Sequence, residues 1–494
     1  MLSIKGIGGG GNDNFSSHVK KTNDGGFIIH LVTSAAANTG NVDSFCSFTN
    51  KRSIFLKYNE DGTVLDWFKC YGSTGDSGIV YLFPRNDGTN VVGGNFGSSA
   101  GWGCMLAKHD ADGNVIWQRN FSKGGGSVLK HMIETEDGGY LIMSESHRTD
   151  TNVLVHYGAW SSFDIWLLKV DSNGYKQWSK VIGGSYDEAA FNIIPAPSSG
   201  YYIVGATQSS DYDCTGYHAG GQDGYVARLD ANGSILWHRC LGGSGYEAAY
   251  PVGYGVSDGK GGLLVTMSTT STDGDVHNHI HKADYWVVNL DSAGNILWEN
   301  CYDGGHTEYP SSICKATDGS IWITGWTYKN YYEDIFVVHT DSIGNLLQTK
   351  MMGSYNLDHG RFVYPLKDGL ILHGGAYYDH NGFFTSLHNY GFLDVFLAVF
   401  APWSVGINDI ENDELSLKIY PNPTKGILYV EKQNNNTNTK ISLMSIDGKQ
   451  MIQTILASGN SRVEIDVSQY PKGNYWVRIS SETHKNISQK ITIE

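Results

Sequence analysis

The stretch from Gly221 to Gly243 returns along the first four hundred residues, and this self-similarity constrains the fold to an array of like units. An eight-residue segment within it occurs seven times: Ser53 to Glu60, Gly103 to Asp110, Asp164 to Asp171, Asp223 to Asp230, Asp284 to Asp291, Asp334 to Asp341 and Asp394 to Ala401, at spacings of 50 to 61 residues. Apolar and polar residues alternate loosely inside each copy, as at Trp166, Leu168 and Val170, which is strand period. A turn follows, such as Asp171 to Gly174 or Asp230 to Gly233, in which Asp accepts nearby amides and Gly takes a positive φ. The next strand carries Trp117, Trp178, Trp237 and Trp298 at one fixed place, where a large ring most simply packs one sheet on its neighbour. A second set of turns, from Asp24-Gly25-Gly26 to Asp368-Gly369, marks two further strands per unit.

Four strands per unit and seven units predict an all-β, seven-bladed β-propeller over residues 1–403. The seventh copy has no outer strand after Ala401, whereas residues 3 to 9 resemble Ser179 to Gly184. The N-terminal strand is therefore expected to complete blade seven and close the ring, which removes open sheet edges.

A net charge of −15 argues against nucleic acid or an anionic membrane as partner. No apolar run approaches the roughly 20 residues of a membrane helix, so no membrane insertion is expected, and the propeller is expected to be a monomer. Residues 1 to 15 lack a basic start and apolar core, so either no signal peptide was made or the chain begins at its mature end. Seven cysteines without CxxC spacing argue against a disulfide framework; Cys70, Cys240 and Cys301 hold matching repeat positions in different blades and are not expected to pair.

After Trp403 the pattern changes. Residues 404–416 look like a linker, and about seven short strands over 417–494 suggest a small β-sandwich. The run Ile419, Tyr420, Pro421, Asn422, Pro423, Thr424, Lys425, Gly426, with Asp447-Gly448-Lys449 and the late Pro471, Lys472, Gly473, Asn474, Tyr475, resembles the type A C-terminal sorting domain of type IX secretion over roughly residues 408–494. The resemblance implies a Gram-negative bacterial protein carried across the outer membrane by the type IX machinery, then released or tethered at the surface. The units themselves, with strands such as Asp164-x-Trp166, look like uncharacterised surface propellers that often precede such domains; that likeness carries no activity.

Chemistry is expected where the loops between second and third strands, and between successive units, emerge together. An acid recurs just after the Gly-rich loop in every unit but the third: Asp187 with Glu188, Glu247, Glu308 and Asp358, besides Asp13 and Asp76. These either hold a cation or basic ligand, or accept amides of their own loops. The long loop before Asp284 carries Asp273, Asp275, His277, His279 and His281, a set that suits calcium through its carboxylates or a transition metal through imidazoles, although polar loops accumulate such residues without any metal. His218 and His279 each precede the strand Asp by five residues, and His156 precedes Asp164. Aromatic residues crowd these loops, among them Trp160, Phe163, Tyr212, Tyr217, Tyr331 and Tyr378; they stack on sugars or fold back over strand ends. No GxSxG elbow, P-loop or other catalytic spacing appears. The function expected is a secreted or surface binding propeller for a glycan or other extracellular polymer, with calcium or another divalent cation as the candidate cofactor and none certain. The alternatives are a polysaccharide hydrolase or lyase on this scaffold, or a structural or adhesive surface protein.

Overall fold

A computed structural model describes residues 3–7, 13–22, 24–33, 52–72, 78–98, 101–121, 127–247, 254–277, 279, 282–329, 332–354, 356–366, 369–377, 393–400, 417–432, 439–445, 450–457, 459, 461–481 and 487–493. The chain forms two compact units, Met1–Pro402 and Trp403–Glu494. The expected linker at 404–416 lies outside the described residues, as do Cys46, His281, Tyr331 and Tyr378.

Among the described residues the first unit holds seven four-stranded antiparallel sheets, the first six ordered as the chain runs, in a propeller-like succession. The third comprises Val128–Glu134, Tyr140–Ser146, Asp164–Val170 and Lys176–Ile182; the fourth comprises Glu188–Pro195, Tyr201–Thr207, Asp223–Leu229 and Ile235–Leu241. The repeated eight-residue segment is the third strand of each sheet, and in Asp164–Val170 every residue is buried. It is buried on both faces because one face packs on the preceding sheet and the other on the next. Trp166 thus shares a core with Phe83 and Leu106, while Ile165 and Leu167 share one with Ile193 and Tyr225. Such double burial explains why the alternation in the sequence is only loose.

The repeated tryptophans join neighbouring sheets in one specific way. The Trp178 ring lies half-buried against Gly233, in the hairpin turn of the next sheet, and its Nε1–H donates to the Ala231 carbonyl at 3.2 Å. Trp237 repeats this on Gly294 and the Ser292 carbonyl at 2.9 Å. Gly233 has φ of 83° and a Cβ there would lie 2.9 Å from the Trp178 ring, so the turn needs glycine twice over, for its backbone and for the ring. Turn and ring are therefore repeated together because each sheet supplies half of the contact.

The seventh sheet takes its fourth strand from the start of the chain: Ser3–Ile7 pairs antiparallel with Leu393–Phe400, Ile4 opposite Ala398. Phe27 of the first sheet touches Phe362 and Tyr364 of the seventh, with ring centroids 6.2 and 5.1 Å away, and Ile29 and Ile54 share a core with Ile371 and Val395.

Among the described residues the second unit has two sheets. One is made of Leu417–Tyr420, Ile427–Lys432 and Arg462–Asp466; the other of Gln450–Leu456, Thr439–Ser445, Gly473–Ser481 and Ile487–Ile493. Leu428 and Val430 from the first share a buried core with Leu443, Val477 and Ile491 from the second. The segment Pro421 to Gly426 ties the end of the first strand to the last one. Both prolines follow cis peptide bonds, the Asn422 side chain accepts the Thr492 amide at 2.9 Å, and the Thr424 amide donates to the Thr492 carbonyl at 2.9 Å. Gly473 opens the strand that carries Tyr475, whose hydroxyl donates to the Pro471 carbonyl at 2.8 Å.

Cys70 is disulfide-bonded, whereas Cys104, Cys214, Cys240, Cys301 and Cys314 are free thiols; among the described residues there is one bonded cysteine and no framework. No described helix is long and apolar enough to cross a membrane.

Candidate functional site

In a sheet whose strands alternate in direction, the loop from second to third strand and the loop to the next sheet leave at one end, and the tight hairpins leave at the other. The long loops 147–163 and 208–222 and the Gly-rich loops 183–187 and 242–246 therefore share the same end. They are also laced together. The Phe163 amide donates to Asp187 Oδ1 at 2.9 Å, the Ser185 amide to Asp211 at 2.8 Å and the Tyr186 amide to Ser209 Oγ at 2.9 Å. The Tyr157 and Tyr212 rings meet at 4.8 Å, and the Tyr246 ring lies against Gly221.

The recurring acids lie mostly beneath this surface. Glu188 is buried; its Oε2 accepts the Gly184 amide at 2.8 Å and its Oε1 the Thr207 hydroxyl at 2.7 Å. Glu247 does the same with the Gly243 amide at 3.1 Å and the Thr269 hydroxyl at 2.7 Å. Asp358, also buried, accepts the Ser354 amide at 2.6 Å, and Asp187 is exposed. Each Glu approaches the Asp that opens the third strand of the preceding sheet. A Cβ on Gly183 would collide with both Asp164 and Glu188, and one on Gly242 with Glu247 while lying 3.2 Å from Asp223. Two carboxyls this close and this buried cannot both ionise cheaply. Burial accordingly pushes Glu188 up to about 7 and Asp164 up to about 6, and raises Glu247 and Asp223. Imidazoles attend the same Asp residues: His156 Nδ1 lies 2.8 Å from Asp164 and His218 Nδ1 2.8 Å from Asp223. The positional likeness of these histidines thus has a physical content.

Of the loop set expected to hold a metal, the described members Asp273, Asp275 and His277 have partners of their own. Asp273 is exposed and accepts the Ser244 amide at 2.7 Å; Asp275 pairs with Arg239 at 2.8 Å; His277 reaches Glu299 at 3.2 Å; His279 is half-buried. Among the described residues, the one group of acids, histidines or cysteines with ligand atoms mutually within 4.8 Å is instead Asp284, Asp303 and Glu308.

The aromatic residues divide. Tyr217 folds back, half-buried, and its hydroxyl donates to the Gly221 carbonyl. Trp160 is 76% exposed with the Arg148 guanidinium 4.8 Å from its ring, and Tyr212 is 63% exposed. Two further rings on this surface are Tyr186, 63% exposed, and Tyr246, 51% exposed. Neither stands out in the sequence by composition; the signal that marks them is their place directly before an acid and after a Gly/Ser run, where no strand face exists to bury a ring. At the hairpin end, a cavity of about 550 Å³ is lined by Arg85, Asp87, Lys108 and Asp137, among others.

Residues 418–494 match the family model of the secretion system C-terminal sorting domain. That domain places the protein outside the cell or at its surface, and it makes the type IX secretion machinery a partner. No curated protein sequence matches the chain significantly. Among solved structures, a puromycin hydrolase is similar at 11% identity and a TM-score of 0.46 over 86% of this chain and 60% of its own, so this chain spans about 60% of that enzyme's length. An acylaminoacyl peptidase of Pyrococcus horikoshii is similar at 10% identity and TM-score 0.40, over 86% and 59%. A polysaccharide lyase described as an ulvan lyase of family PL25 is similar at 8% identity and TM-score 0.46, over 75% and 93%.

Proposed function

We propose that the seven sheets form a closed seven-bladed propeller whose loop end binds a glycan or a like extracellular polymer after export, with the C-terminal β-sandwich serving as the export signal. Supporting closure are the pairing of Ser3–Ile7 with the seventh sheet and the packing of Phe27 on Phe362. The observation that carries the binding reading is the exposure of Trp160, Tyr186, Tyr212 and Tyr246 on loops laced into one surface, beside the carboxylates of Asp187 and Asp211. Large rings left in water lose the favourable burial they would gain in a core. A sugar's apolar face gives them a partner, and neighbouring carboxylates accept its hydroxyls.

A glycan array probed with the propeller, followed by reducing-sugar assays on the hits, tests this. Binding without turnover is the expected result. Release of sugar ends would make the protein an enzyme, and silence on every glycan would leave a structural or adhesive role. Export is tested separately: removing residues 408–494 should leave the protein inside the cell envelope, and normal secretion without them would defeat the assignment.

A further inference from the structure

The junction between the fifth and sixth sheets breaks a rule that the two preceding junctions keep. Position five before the buried Glu is Gly183 ahead of Glu188 and Gly242 ahead of Glu247, and at each a side chain would collide with the acids below. Ahead of Glu308 the same position is Asp303. The carboxylate that the other junctions exclude is here brought into the group, and ligand oxygens of Asp284, Asp303 and Glu308 lie within 4.8 Å of one another.

The hydrogen bonding of the Glu changes with it. Glu188 and Glu247 each have both oxygens satisfied, Oε2 by the amide of the second glycine and Oε1 by hydroxyls. Glu308, 0% exposed, takes the His306 amide at 3.0 Å and the Thr327 hydroxyl at 2.9 Å both on Oε1. Its Oε2 is buried with no hydrogen-bond partner. A bare carboxylate oxygen with no access to water costs the desolvation of that group unless something positive meets it. A pair of carboxyls can be relieved by one shared proton. Three sharing one proton still hold two negative charges at close range, a repulsion that one proton does not remove.

We propose that Asp284, Asp303 and Glu308 bind one calcium-class divalent cation, with Glu308 Oε2 as a direct ligand. All donors are carboxylate oxygens, which selects a hard cation over zinc or copper. Calcium binds oxygen at about 2.3–2.6 Å, so two ligands of one ion stand at most about 4.6–5.2 Å apart, and the 4.8 Å span fits that reach. Asp303 is half-exposed, which leaves a side open for the ion to enter and for water to complete its shell. The ion would fasten the fifth sheet, which supplies Asp284, to the loop and first strand that begin the sixth.

Calorimetric titration of the chelator-stripped full chain with calcium chloride tests the site. One ion per chain should bind, and the melting temperature should rise by several degrees at saturation. Asp303→Gly, which restores the residue of the other junctions, should weaken binding at least tenfold yet melt, without calcium, no lower than the parent. Should that variant fail to fold, Asp303→Asn removes the charge at nearly constant shape and should show the same loss. Asp273→Asn with Asp275→Asn should leave binding intact. No binding to the parent chain, undiminished binding to both Asp303 variants, or loss confined to the Asp273 and Asp275 variant would overturn the proposal.

Discussion

Carboxylates recur at both ends of the sheets, and the two ends treat them oppositely. At the hairpin end, Asp110 and Asp291 lie in surface turns, each accepting the side chain and amide of the Asn four residues on; those bonds favour the ionised form and hold the pKa below the usual range. Asp24 is lowered to about 2, chiefly by the Thr22 hydroxyl and then by Lys57. At the loop end, Glu188, Glu247 and Glu308 are buried beside a second acid and their pKa values rise. The hairpin acids solve a local problem, satisfying turn amides. The loop acids sit where two sheets and two loops converge, and they cost stability unless a proton or a cation meets them.

The contrast can be broken at several levels. Both ends hang on the same frame, so deleting residues 1–9 should do the greatest damage: the seventh sheet loses a strand and Leu393–Phe400 becomes a bare edge. A fall in melting temperature of several degrees is expected by calorimetry, since each kcal/mol lost moves a domain of 150–250 residues by roughly 2–4 °C and a larger unit by less. A free-terminus result, within a degree or two of the parent, would refute closure by this strand. Next in size is Trp178→Ala, which removes the ring seated on Gly233 and the bond to Ala231. Fully buried Trp→Ala costs about 3–5 kcal/mol, and a half-buried ring should lose about 2–3 kcal/mol by urea unfolding.

Glu188→Gln separates the two ends by pH. The folded pKa of Glu188 lies above its unfolded value, so the folded state holds the extra proton. The stability this contributes is complete below about pH 4.5 and lost as pH rises through about 7. The Gln variant should therefore melt with the parent near pH 4.5 and a few degrees above it at pH 8. Equal melting at both values would mean that the acid pair is not strained. The smallest effect belongs to the hairpin end: Asp230→Ala loses two amide bonds, to Asn232 and Ser234, and should cost about 0.5–1.5 kcal/mol with no gain at high pH.

The units, their strands and their turns can be read from the chain because each is dictated locally, by strand period, an Asp and a Gly, and then repeated. Even the tryptophans declare a packing role, although not that their partner is the glycine of the next turn. The loop end is legible only in its inventory. Whether Glu188 faces solvent or Asp164 depends on how loop 183–187 crosses a neighbouring sheet, a long-range matter that spacing does not encode. For the same reason Tyr217 and Tyr186 look alike in sequence while one folds back onto Gly221 and the other stands in water. Asp303 draws no notice in the sequence because it breaks the glycine pattern, and only the acids crowded around Gly183 reveal what a side chain at that position would touch.

The loop end as working surface is tested most directly by affinity for the strongest-binding polysaccharide, compared between the parent chain, Trp160→Ala with Tyr212→Ala, and the hairpin-end variant Asp230→Ala. With stacked rings worth about 0.5–1.5 kcal/mol each, the aromatic double variant should bind roughly 5- to 150-fold more weakly, while Asp230→Ala binds as the parent does. Unchanged binding by the aromatic variant, or equal loss in both, would contradict that role.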